Sequence, residues 1–209
     1  MEVYSSNSTD LSIPVNPRTR TLRMARWVSN VFCPPVLAVT AIFLVSFQLA
    51  TLAAWLWSGF IFLVGIASPL AYILFQLKRG KVSDFEIYHR EQRKGSYIFT
   101  LVCGSLTLLA MWLFAAPLLI IALGAAALFQ VGIMFLINMR WKISAHAASM
   151  AVFITLLVYL FGRPMLPSTV GIPLMVWSRV SLRRHTLLQT LAGSALGVIV
   201  LVLCLLAIQ

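Results

Sequence analysis

Seven apolar stretches, at about residues 28–49, 52–77, 97–115, 117–138, 146–162, 166–181 and 187–208, leave this chain few ways to fold. At about 1.5 Å of rise per residue most of them reach across a hydrocarbon layer of roughly 30 Å; the two before the last are shorter and fit a tilted span or one partly inside a cavity. Within such a layer every backbone N–H and C=O must find its partner inside the protein, so the expected fold is all-α, an integral membrane bundle of six to seven transmembrane helices. A composition of 61% hydrophobic and 10% charged residues agrees with that. Two regions follow: a polar, basic N-terminal arm over 1–27 and a single transmembrane domain over 28–209. The arm ends in Arg18, Arg20, Arg23 and Arg26 and reads as flexible. The apolar run after it is too long for a cleaved signal peptide and leads straight into another span. Pro34, Pro35, Pro69, Pro117 and Pro173 fall within or at the ends of spans and predict kinks, with neighbouring helices satisfying the freed carbonyls.

Charge narrows the possible chemistry. The net charge is +11, yet the basic residues do not form a run interleaved with aromatics on a soluble face, so nucleic acid is not an expected partner. Glu2, Asp10, Asp84, Glu86 and Glu91 are the only carboxylates. Enzymes that hold Mg²⁺ on several carboxylates, such as aspartate-rich prenyltransferases and phosphoalcohol transferases, are therefore poor matches for the second half of the chain. Cys33, Cys103 and Cys204 lie in apolar stretches without disulfide or metal spacing and read as small core residues. Seven spans would put the arm, the 78–96 and 139–145 loops and the 182–186 segment on one face. Arg163 is then the one basic residue on the other, and the excess of Lys and Arg assigns the charged face of this multi-pass protein to the cytoplasm.

Three clusters of ionisable groups share that face. Arg90 and Arg93 stand one helical turn apart in the loop after the second span and suit a grip on one phosphate. Lys142, Ser144 and His146 surround the start of the fifth span, where free N–H groups also attract anions. Ser178 and Arg179 are followed by His185, with Gln189 at i+4 positioned to orient its imidazole. Each cluster alone also fits an ordinary solvated loop, helix cap or snorkelling helix end. A zinc site of His89, His146 and His185 has no supporting spacing.

In order and spacing the three clusters resemble the motifs of the type 2 phosphatidic acid phosphatase superfamily, metal-independent integral membrane phosphatases of lipid phosphates and isoprenoid diphosphates. The matching residues are Arg90 to Arg93, Ser144-Ala145-His146, and Ser178-Arg179 followed after a five-residue gap by His185, and the likeness covers roughly 78–197. Three positions depart from the pattern: Glu86 stands seven residues before Arg93 where the family has Lys, Ala145 replaces Gly, and Gln189 replaces Asp. The resemblance implies a phosphoric ester or diphosphate hydrolase without a cofactor. His185 would attack phosphorus, His146 would protonate the leaving group, and Gln189 would orient His185. Arg90, Arg93, Lys142, Ser144, Ser178 and Arg179 would hold the phosphoryl oxygens. The substrate would be a lipid phosphate or prenyl diphosphate whose tail stays among membrane lipids. The departures keep a second expectation open: a member that has lost hydrolysis and binds anionic lipid, or serves as a membrane scaffold or transporter subunit.

Overall fold

The structure is a computed structural model that describes residues 20–84, 86–87 and 90–209, with the backbone but not the side chain of Arg90. Among them there are helices and no strands. In chain order they are α1 (Arg20–Val31), α2 (Pro34–Leu49), α3 (Leu52–Phe60), a π-helical segment (Ile61–Ala67), α4 (Ser68–Lys78), a 3₁₀ turn (Arg90–Gln92), α5 (Arg93–Leu113), α6 (Leu118–Asn138), α7 (Ala145–Phe161), a 3₁₀ segment (Arg163–Val170), α8 (Gly171–Ser181) and α9 (Leu187–Leu206).

Four helical stretches are long and apolar enough to cross a membrane: Leu52–Lys78, α5, α6 and α9. The α1–α2 pair, bent by 44°, makes a fifth if it is counted as one span. This is compatible with a multi-pass membrane protein. Many large apolar side chains also face outward, among them Leu63, Trp112, Leu136 and Leu203, as a lipid-facing surface requires.

The first apolar stretch differs from its expected form. Residues 20–31, which join the last part of the expected arm to the start of the first expected span, are helical and pack on α8, with Ala25 and Ser29 buried. Pro34 and Pro35 then restart the helix, because proline fits the first helical turn but not an interior. Most of the arm, residues 1–19, lies outside the described residues. The second span runs through the π-helical segment, where the backbone hydrogen bonds span five residues in place of four.

The tightest contact in the bundle is between α7 and α9. Gly193 and Gly197, four residues apart on α9, allow it: a β-carbon at Gly193 would lie 2.5 Å from the Ser144 carbonyl oxygen, and one at Gly197 would overlap the Ala148 carbonyl. In an apolar solvent such small residues are what let two backbones meet.

Candidate functional site

Three connections at one end of the bundle, α4–α5, α6–α7 and α8–α9, place most of the polar side chains. The turn after α8 is a Schellman closure: the Arg184 N–H donates to the Arg179 carbonyl at 3.1 Å and the Arg183 N–H to the Val180 carbonyl at 2.9 Å. Arg183 takes the left-handed position there, with φ of 52°. The reversal folds His185 back beside Arg179, which is the physical content of the five-residue gap between them.

Thr186 caps α9 in a capping box with Gln189: its side chain accepts from the Gln189 N–H, and its own N–H donates to Gln189 Oε1 at 3.1 Å. That backbone donor fixes which end of the carboxamide is oxygen. His185 Nδ1 lies 3.2 Å from the same oxygen, so Nδ1 carries the proton and donates it, leaving the Nε2 lone pair free to act as a nucleophile. Gln189 thus selects the tautomer a carboxylate would select, without supplying a negative charge. Burial first, then the charges of Arg179, Lys142 and Arg93, press the His185 pKa down to about 2 against the Gln189 hydrogen bond, so the imidazole is neutral.

Arg179, 2% exposed, donates to the Ser29 hydroxyl and in a two-pronged contact to Glu86, at 3.2 Å to Oε1 and 2.8 Å to Oε2. Its Nε has no hydrogen-bond partner among the described residues. Glu86 also lies 3.8 Å from His146 Nε2 and 3.6 Å from Arg184 Nε, while Asp84 pairs with Arg184 at 3.1 Å. Burial acts to raise the Glu86 pKa, but the Arg179 hydrogen bond and the Arg179 and Arg184 charges outweigh it and bring the pKa down to about 2. Arg93 opens α5 and donates from Nε to the Ile87 carbonyl at 2.7 Å. Lys142, before α7, is lowered to about 8 by burial and by the neighbouring arginines Arg93, Arg184 and Arg179.

Below this charged end a cavity of about 700 Å³ runs into the bundle. Glu86, Arg93, His146, Arg179 and His185 line its mouth. Ser96, Tyr97, Thr100 and Ser149 follow, with the buried carboxamide of Gln130, whose Oε1 has no hydrogen-bond partner among the described residues. Further in the walls are apolar, from Ala38 and Ile66 to Val45, Leu123 and Ile120. Arg93 and Met111 both line the cavity and stand eighteen residues apart on α5, so it extends about 27 Å along that helix.

Of the residues singled out from sequence, His146, His185, Gln189, Arg93 and Arg179 converge here, and Lys142 is close enough to act on them electrostatically. Ser144 and Ser178, expected to bind phosphate, do not line the cavity. Ser144 is the N-cap of α7, its oxygen accepting from the Ala147 N–H, and the Ser178 hydroxyl donates to the Ala25 carbonyl at 2.6 Å, tying α8 to α1. Both hydroxyls satisfy buried backbone groups instead. The Arg90 side chain and His89 lie outside the described residues, and among those described no cluster of three or more His, Cys, Asp or Glu is placed to hold a metal ion. Sequence reasoning flagged Glu86 as a departure from a pattern but missed that it sits in the Arg179 fork; it likewise missed Asp84 and Arg184 as its neighbours.

In comparisons with known proteins, no family model matches the chain, and no curated protein or solved structure matches it.

Proposed function

We propose that this chain is a phosphatase that hydrolyses a lipid phosphate or isoprenoid (di)phosphate through a phosphohistidine and without a metal ion, as a divergent member of the type 2 phosphatidic acid phosphatase superfamily. One observation carries the reading. A neutral histidine with its Nδ1 engaged and a buried arginine stand together at the polar mouth of a long apolar cavity, which suits a phosphate headgroup with a tail below it.

The chemistry runs on this chain's own groups. His185 Nε2 attacks phosphorus, forming an N–P bond as the P–O bond to the leaving group breaks, and His146, which the negative charge of the bound phosphate keeps protonated, gives that oxygen its proton. Water then attacks phosphorus and releases His185, with its proton passing to His146. Arg93 and Arg179 carry the charge spread over the phosphoryl oxygens, and Gln189 holds the Nδ1 proton throughout. With α1–α2 as one bent span and α7 and 163–181 as two short ones, the chain crosses seven times, and the basic end faces the cytoplasm.

Glu86 seated in the Arg179 fork favours one second reading, an anionic-lipid-binding protein without hydrolysis. Detergent-solubilised protein incubated with phosphatidic acid and with farnesyl diphosphate in EDTA decides between them. Release of phosphate, with labelled phosphate recovered on the His185 peptide after an alkaline quench, is the expected result. Folded protein that binds these lipids and releases nothing establishes the second reading.

Lys142 gives a separate expectation. Between about pH 8 and 10 free phosphate is mostly the dianion, so its own charge is nearly constant, and its affinity for the site should fall as Lys142, with a pKa of about 8, loses its proton. The sign follows because a bound anion favours the charged amine. Titration calorimetry of phosphate binding should show that limb in the parent and lose it in Lys142→Met; an unchanged limb would remove Lys142 from the site.

A further inference from the structure

Glu86 makes the contacts expected of a ligand. Its two oxygens take both Nη groups of Arg179, a carboxylate in the fork that otherwise fits a phosphoryl group. The same carboxylate lies against His146 and Arg184, and it belongs to a short connection tied to the site at other points. Asp84 holds Arg184, the Ile87 carbonyl takes the Arg93 Nε–H, and Ser83 bonds through its N–H and hydroxyl to Gln92 at 3.0 and 3.1 Å. Ile87, next to Glu86, has φ of 48°, a costly conformation for a β-branched residue that persists only while its surroundings enforce it. The clasp over the site is therefore held by the groups a phosphate would claim.

We infer that Glu86 is an internal ligand of the phosphoryl site, occupying the Arg179 fork until a phosphate anchored by its own apolar tail displaces it, and so sets the site's threshold against free phosphate and water-soluble phosphate esters. The inference rests on reading the cavity as a phosphoryl site. An internal competitor lowers the apparent affinity of every ligand by one factor, the fraction of molecules whose site is open. A tail-bearing ligand recovers that factor by burying methylenes along the cavity beneath Arg93, whereas a soluble phosphate has nothing to recover it with. Glu86 then keeps the site from being filled by ambient phosphate or by the inorganic product.

The test is titration calorimetry of detergent-solubilised protein and its Glu86→Gln variant with inorganic phosphate and with dodecylphosphonate. Removing the charge should tighten both ligands by similar factors of about ten or more, with the parent binding the phosphonate well and phosphate weakly. Phosphate binding that is unchanged or weaker in Glu86→Gln overturns the inference and makes Glu86 a support for Arg179. Phosphate binding absent from both proteins overturns the phosphoryl reading with it. Tighter binding without hydrolysis of any lipid keeps the inference and removes the phosphatase. Should Glu86→Gln not fold, hydrogen exchange of the parent decides: dodecylphosphonate should speed exchange at residues 82–87, and slowed or unchanged exchange there overturns the inference.

Discussion

Arg179→Ala is expected to lower the stability of the folded protein by about 3 kcal/mol and to abolish phosphate release. Both effects follow from its position. The guanidinium is almost wholly buried, and its removal leaves the Glu86 carboxylate without its main partner, so a charge remains in a poorly solvated site. The double variant Arg179→Ala/Glu86→Ala removes that orphaned charge. It should recover most of the lost thermal stability in detergent while phosphate release stays absent, because the phosphoryl site has lost its buried cation in either case. A double variant as unstable as the single one would show that the cost lies elsewhere, in the Ser29 contact that joins α8 to α1.

Gly197→Leu is expected to damage both stability and activity by another route. A β-carbon there meets the backbone carbonyl of Ala148, which cannot swing aside as a flexible side chain would. The helices must separate, and the damage reaches the site because His146 lies in the first turn of α7 while α9 begins just after His185. The Ser144 N–H bond to the Gln189 carbonyl, 3.3 Å, spans the same junction and would break. Overpacking of this kind costs about 1–3 kcal/mol or more, and a shift of an ångström between catalytic groups costs about 10²-fold in rate. Gly59→Ala is the control: its β-carbon has nothing within 4 Å, and alanine favours the helix, so thermal unfolding in detergent should be unchanged or slightly raised. Equal effects of the two substitutions would refute the close-packing account.

The helical class and most element positions were legible because hydrocarbon imposes a simple rule: long apolar runs must be helices, and prolines mark their starts. Pro117 precedes α6 and Pro34 opens α2, as their lack of an N–H requires. The start of α1 was not legible, since Arg20, Arg23 and Arg26 look like a solvated arm until the apolar side of the helix is seen against α8. The third cluster was readable because a Schellman turn and a capping box have fixed lengths, so spacing alone brings Arg179, His185 and Gln189 together. The partners of Ser144 and Ser178 were not legible for the opposite reason. A hydroxyl looks the same in sequence whether it faces a ligand or a backbone group, and here the α7 cap and the Ala25 carbonyl took them.

By itself, then, the sequence determined that the chain is a set of long apolar helices with its charge confined mostly to the segments between and before them, because solvation energies are local and can be read residue by residue. Only the tertiary structure decided which of those charges meet. That Glu86 lies in the Arg179 fork, 93 positions away in the chain, that a carboxamide locks the His185 tautomer, and that a cavity leads from there into the bundle all depend on how close α7 and α9 come and where the 79–92 connection closes. Such contacts are set by packing between distant segments, which no local pattern records.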